Sequence, residues 1–266
     1  DLISWEDLGW KSVVVNLSDI AAMGGLPLYS LVTLGLKPET EVEEVKSLYI
    51  GMLSACREYK CRIVGGDMVQ SPVTFITVSM TGVAQGGLLT RKGAIPGDVI
   101  AVTGPLGCAS GGLQGLLNDT LFDELSGVHL SQTHRRPIPR LTECQMLVQN
   151  GVRNAMDISD GLTDDLSKMC VSSGVGAIIH AYQVPVDSFL KNAFPENYLE
   201  FALNGGEDYE ILFTGEEKIV SDVINRLSSY AAVIGRIVAD DSCKVQVLDE
   251  LGKDIRIDRQ GWDHFR

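Results

Sequence analysis

The sequence predicts a mixed α/β (α+β) fold built in two parts. Segments with the 3.6-residue apolar period of helices alternate along the chain with short β-branched and apolar runs, the pattern of sheets covered by helices. Gly86-Gly87 and then Gly93-Ala94-Ile95-Pro96-Gly97-Asp98 break that alternation, and the boundary is placed there, giving residues 1–87 and 88–266. The composition, 45% hydrophobic and 21% charged over 266 residues, is that of an ordinary globular protein with a sizeable core. It excludes disordered, collagen-like and coiled-coil classes.

Ser4 with Asp7 is a capping-box-like start for a helix through Trp5, Leu8, Val13, Leu17 and Ile20 that stops at Gly24-Gly25. Leu28–Leu36 reads as a strand. Thr40 with Glu43 opens a second helix ending near Lys60. Cys61–Val64 is a short buried strand running into Gly65-Gly66-Asp67, and Val73–Val83 alternates as a long strand. Beyond the boundary, Val99–Thr103 is a strand and Ala109–Leu117 a helix. Leu130–Arg140, with Pro137 and Pro139, is expected to be irregular. A helix over 141–150, an acidic turn at Asp157–Asp160, a helix to Ser172 and a strand at Ala177–His180 come next. A helical stretch ends at Asn204-Gly205-Gly206, and Tyr209–Phe213 is a strand. The last helix spans Glu216–Tyr230, before strands at Ala232–Val238 and Lys244–Leu248.

Lys and Arg number 22 against 35 Asp and Glu, a net charge of −13, which repels nucleic acid and anionic membranes. No apolar run reaches the 18 or so residues of a membrane span, and no signal peptide is recognisable. The six cysteines are scattered without a C-x-x-C pair, which fits reduced thiols and a cytoplasmic location.

Four acidic clusters stand at element ends beside small residues: Asn16-Leu17-Ser18-Asp19, Gly65-Gly66-Asp67, Asp157-Ile158-Ser159-Asp160-Gly161 and Gly205-Gly206-Glu207-Asp208. Carboxylates at strand ends next to glycine leave room for a hard cation, and Mg²⁺ is commonly held by one or two carboxylates together with substrate phosphates. Any one cluster read alone is more often a turn or a cap. Asp19 lies within an apolar helix, so it is turned to solvent or paired with something positive. No G-x-x-x-x-G-K-[ST] and no G-x-S-x-G is present, and the four histidines lack ligand spacing. Arg91-Lys92 is a phosphate grip or a solvated loop pair.

Taken in order, these stretches resemble the thiamine-monophosphate kinases, relatives of aminoimidazole ribonucleotide synthetase and selenophosphate synthetase. The matching segments also include Thr90-Arg91-Lys92-Gly93 through Asp98, Glu207-Asp208-Tyr209-Glu210 and the closing Gly261-Trp262-Asp263-His264-Phe265. The resemblance implies the two-domain fold of that superfamily, with N-terminal domains pairing across a homodimer into a β-barrel and a C-terminal α/β domain. It implies transfer of the γ-phosphoryl of ATP to thiamine monophosphate with several Mg²⁺ ions. Asp19, Asp67, Asp157 and Asp160 would be metal ligands. Tyr49, Gly66, Asp67, Arg91 and Ser159 would touch ATP, while Glu207 and Trp262 would contact the thiamine moiety, unless Trp262 merely pins the tail. No general base is expected, because the acceptor phosphate oxygen is already ionised. Members of the family also carry an N-terminal segment with further metal-binding aspartates, which this sequence, opening at Asp1, is expected to lack. The rival readings are another ATP-using superfamily member and a non-catalytic nucleotide- or thiamine-phosphate-binding protein.

Overall fold

In the computed structural model, residues 2–118 and 123–255 are described. Helix α1 (Trp5–Ala22) starts at Ser4, whose Oγ accepts the Asp7 N–H at 3.0 Å, and Gly24 takes a left-handed φ of 69° just beyond its end. Strand β1 (Gly25–Leu36) leads into α2 (Val42–Glu58). The capping box of α2 sits one residue later than Thr40 and Glu43 suggest: Glu44 accepts the backbone N–H of Glu41 at 2.9 Å. Strands β2 (Arg62–Gln70) and β3 (Phe75–Ala84) complete an open three-stranded sheet of order β2-β1-β3, in which β1 runs parallel to β2 and antiparallel to β3. Helices α1 and α2 cover one face, burying Val13, Val14 and Leu17 against Val32, Leu34, Leu48 and Met52.

These two helices pack backbone to backbone. A Cβ on Gly9 would lie 1.9 Å from the Leu48 carbonyl oxygen, and one on Gly51 would lie 1.8 Å from that of Glu6. Glycine at both positions is what permits so close a crossing, despite its cost in helix propensity.

The second part is a six-stranded sheet with helices on both faces. It comprises β4 (Val99–Thr103), β5 (Asn154–Asp157), β6 (Gly176–His180), β7 (Ile211–Gly215), β8 (Ala231–Val238) and β9 (Val245–Leu248), in the order β5-β7-β4-β8-β6-β9. All pairs are antiparallel except β6 with β9. Against one face lies α6 (Leu162–Ser173), with Leu166 and Met169 buried in that core. The other face takes α5 (Leu141–Gln149) and α9 (Glu217–Ile224), joined there by Ala21 and Ala22 from the end of α1. Helices α3 (Cys108–Asn118), α4 (Glu124–Arg135), α7 (Ser188–Ala193) and α8 (Tyr198–Asn204) form a further layer around Leu130 and Leu190. Among the described residues no helix is long and apolar enough to cross a membrane.

The departures from expectation have physical reasons. Leu130–Arg135 is helical and not irregular, because Asp123 caps α4 by accepting the Ser126 N–H at 3.0 Å and Leu130 is fully buried. Pro137 and Pro139 shape only the connection from α4 to α5. Strand β5 lies within what reads as the approach to an acidic turn, and four residues are too few to show a period. Strand β2 is a nine-residue exposed edge, not a short buried strand, since β1 is its one sheet neighbour. The last helix ends at Ile224, well before Tyr230.

Substituting Gly51 by Ala tests the crossing. In an open helix the change would stabilise by about 0.5–1 kcal/mol. Here overpacking is expected to cost about 1–3 kcal/mol, seen as a lower urea midpoint at unchanged slope. A raised midpoint would show that the helices have room.

Candidate functional site

Three of the four acidic clusters meet where the end of α1 lies against the end of β5. Asp157, buried at the last position of β5, accepts a hydrogen bond from Ser18 Oγ at 2.7 Å. Burial raises its carboxyl above the ordinary range and the neighbouring charge of Asp19 adds to this, while the Ser18 bond and Arg91 act the other way. Asp19, one residue further along α1, is exposed at the rim; partial desolvation raises it and Arg91 opposes. Arg91 itself is exposed in the loop after Thr90. Burial pushes up the hydroxyl of buried Tyr209, and then the charges of Glu207, Asp157, Asp19 and Asp160 push it further. Carboxylates from three separate motifs therefore act on one hydroxyl, and the Tyr209 N–H donates to the Ile158 carbonyl at 2.9 Å. Asp19 and Asp157 each feel the positive charge of Arg91, and Asp157 also feels the negative charge of Asp19; carboxylate oxygens are a donor set that suits a hard cation such as Mg²⁺.

The loop after β5 is held by Asp165, whose Oδ2 accepts the backbone N–H groups of Ser159, Asp160 and Gly161 at 3.0, 3.0 and 3.3 Å. The position of Ser159 is thus fixed through its backbone. Asp160 is ion-paired to Lys168, which also meets Asp164 at 2.7 Å and Asp165 at 2.8 Å. As these side chains stand, Lys168 already neutralises Asp160, so a metal there would have to displace an ammonium group.

The Gly205–Glu210 loop closes the other side. Glu207 and Tyr209 both adopt left-handed φ values, 68° and 51°, and the Glu207 N–H donates to the Ser159 carbonyl at 2.8 Å. A non-glycine residue held there costs energy that surrounding contacts must offset. Those contacts are visible. Lys11 Nζ on α1 donates to Glu207 Oε2 at 3.0 Å, and His134 Nδ1 lies 3.3 Å from the same oxygen. Burial lowers the Lys11 ammonium against the pull of Glu207. Asp208, buried, accepts the Gly107 N–H at 2.7 Å, and desolvation pushes it up to about 8. Glu210 forms a two-pronged ion pair with Arg140 and accepts the Thr103 hydroxyl at 2.6 Å.

The remaining expected residues lie elsewhere. Asp67 is exposed on β2, where its carboxylate accepts the N–H of Met68 at 2.8 Å. Gly66, with φ 152°, lies so close to β1 that a Cβ would sit 1.7 Å from the Val32 carbonyl oxygen. Strand pairing alone therefore accounts for that glycine. Tyr49 packs on the α1–α2 core. Among the described residues neither Asp67 nor Tyr49 has a hydrogen bond or ion pair to the Asp19–Asp157 group. Trp262 lies outside the described residues. Sequence reasoning passed over Lys11, His134, Arg140 and Lys168. Lys11 carried the same signal as Asp19, a charge within an apolar helix; Arg140 and Lys168 carried none.

Residues 2–84 match the N-terminal domain of the AIR synthase related proteins, and residues 96–248 match their C-terminal domain. The chain belongs to that family. It is 35% identical over 263 residues to the thiamine-monophosphate kinase of Aquifex aeolicus, covering 98% of this chain and 81% of that protein. To the thiamine-monophosphate kinase of Escherichia coli it is 36% identical over 265 residues, covering 97% and 80%. The solved complex "AaThiL complexed with AMPPCP and TMP" matches with a TM-score of 0.86 at 35% identity, covering 98% of this chain and 81% of that one. Within the AIR synthase related proteins, this chain is a member of the thiamine-monophosphate kinase family.

Arg140 is expected to be the structural anchor of this loop. Replacing it with Met leaves Glu210 buried and unpaired and should cost about 3–5 kcal/mol, read from urea unfolding. A loss below about 1 kcal/mol would mean that Thr103 and water satisfy Glu210 without it.

Proposed function

We propose that this protein transfers the γ-phosphoryl group of ATP to thiamine monophosphate, giving thiamine diphosphate and ADP. The observation that carries the reading is the joining of three acidic motifs, Ser18-Asp19 to Asp157 by the Ser18 hydrogen bond at 2.7 Å and Glu207–Tyr209 to Ile158-Ser159 by backbone bonds at 2.8 and 2.9 Å, in a chain of this family. In the transfer, the bond between the γ-phosphorus and the β,γ-bridging oxygen of ATP breaks. A bond forms to a phosphate oxygen of thiamine monophosphate, and ADP departs with the electron pair. The acceptor oxygen is ionised at neutral pH, so no residue need remove a proton, and a site rich in aspartate and poor in histidine suits the task. Positioning and charge neutralisation do the work.

Asp19 and Asp157 would hold Mg²⁺, with Asp160 joining once Lys168 gives it up and Asp67 contributing from the exposed β2 edge; when bound the ion neutralises charge on the phosphates. Arg91 would grip a phosphate of ATP, with Tyr49, Gly66, Asp67 and Ser159 lining the nucleotide. Glu207, held by the Lys11 ammonium, and Trp262 would receive the thiamine moiety. The domain boundary is placed at Gly87, dividing residues 1–87 from 88–266. A homodimer in which the N-terminal sheets join into a β-barrel is supported by the half-exposed Tyr29, Leu31, Val64 and Met68 of the open sheet and by its unpaired β2 edge. A cytoplasmic location agrees with the free cysteines.

Incubating the full-length protein with ATP, Mg²⁺ and thiamine monophosphate and following phosphorus-31 resonances tests the reaction. Thiamine diphosphate and ADP should appear in equal amounts; ADP with free phosphate, or no turnover, would contradict the reading. Asp157→Asn should lower turnover ~100-fold or more, as loss of one transition-state electrostatic contact does. Arg91→Ala should weaken ATP binding roughly tenfold to a hundredfold, the worth of a charge-assisted hydrogen bond. An unchanged ATP dissociation constant would remove Arg91 from the site.

A further inference from the structure

Away from the carboxylate group, three donors of different chemistry come together where α3, α4 and α7 meet. Cys108 begins α3, His129 lies on α4, and Asp187 caps α7. One ligand atom from each lies within 4.8 Å of the others. His129 Nε2 and Asp187 Oδ2 are 3.6 Å apart.

We propose that Cys108, His129 and Asp187 form a binding site for a divalent cation of the zinc class, separate from the oxygen-only group that suits Mg²⁺. Zinc binds sulfur at about 2.3 Å and nitrogen or oxygen at about 2.0–2.2 Å in a tetrahedron, so its donors stand about 3.3–3.8 Å from one another. The His129–Asp187 spacing already meets this. All three donor atoms lie within 4.8 Å of one another, so the Cys108 thiol need close on the other two by no more than about 1 Å, and the 40% exposure of the His129 side chain opens the site to solvent.

The donors are also held in place, as metal ligands generally are. Asp187 Oδ1 accepts the Phe189 N–H at 2.8 Å, which fixes the carboxylate and leaves Oδ2 toward His129. The His129 ring stacks on Phe189 with centroids 4.7 Å apart. Cys108 is buried, and burial together with Asp208, Asp187 and Glu210 holds its thiol well above the usual range. That argues against a cysteine nucleophile served by a histidine, because the thiol keeps its proton at neutral pH. A zinc-class ion expels that proton and takes the thiolate, leaving the fourth position to water. A thiolate and an imidazole favour such an ion over Mg²⁺.

The test uses the full chain stripped of metal and held in excess Mg²⁺, titrated with Co²⁺ as the probe. One Co²⁺ should bind per chain with a thiolate-to-cobalt charge-transfer absorption, and Zn²⁺ should displace it. Cys108→Ser should abolish the absorption, and His129→Gln and Asp187→Asn should each weaken binding about tenfold or more. Absence of the absorption in the wild-type protein, or its survival in Cys108→Ser, overturns the proposal. Should Cys108→Ser fail to fold by circular dichroism, the half-exposed His129→Gln decides: unchanged affinity there overturns it equally. None of these readouts depends on phosphoryl transfer.

Discussion

The hydrogen bond from Ser18 to Asp157 joins two separately built sheets, and the arrangement of the acidic site depends on it. Helix α1 has two faces. One supplies Val13, Val14 and Leu17 to the core over the three-stranded sheet, and the last turn inserts Ala21 and Ala22 into the core under the six-stranded one. Between these anchors the helix carries Lys11 to Glu207, Ser18 to Asp157 and Asp19 to the rim. A helix rises only about 1.5 Å per residue and is stiff over this length. Fixing its two ends therefore fixes where all three side chains fall.

The price of that placement is repulsion. Burial raises the Asp157 carboxyl and the charge of Asp19 raises it further. Elsewhere Glu210 pairs with Arg140, Asp160 with Lys168 and Glu207 with Lys11, while buried Asp208 and Asp98 are held by backbone N–H groups. Asp157 has a hydroxyl and a more distant guanidinium. In a chain of net charge −13 whose proposed substrates are both anionic, this shortfall of positive charge is the electrostatic case for a cation from solution. The zinc-class site has the opposite character, with one sulfur, one nitrogen and one oxygen donor and a single carboxylate.

Much of the layout was legible in the sequence. Ser4, Gly24, the long strand at 73–83 and the apolar period of the helix around Leu48 announced themselves, because those signals are local. The acidic clusters were legible only as a set taken in order, since a carboxylate beside glycine reads alone as a turn or a cap. What stayed hidden is long-range. Nothing near Arg140 in sequence says that it meets Glu210, 70 residues on, or that Lys168 neutralises Asp160. Strand β5 was too short to show a period, and the helical start of Leu130–Arg140 was masked by the prolines that end it. Gly66 carried an ambiguous signal, for glycine beside a carboxylate reads as a phosphate approach, yet close contact with Val32 also requires it.

The most direct test is to count the hard cations this site holds. Electron paramagnetic resonance of Mn²⁺, standing in for Mg²⁺, should show binding to the full-length wild-type protein that competes with Mg²⁺. Replacing Asp157 with Asn should remove at least one ion or weaken its binding tenfold or more, on the order of 1.4 kcal/mol, with the fold unchanged by circular dichroism. Equal Mn²⁺ binding in the wild-type and Asp157→Asn proteins would contradict the claim that the seam between α1 and β5 exists to hold a cation.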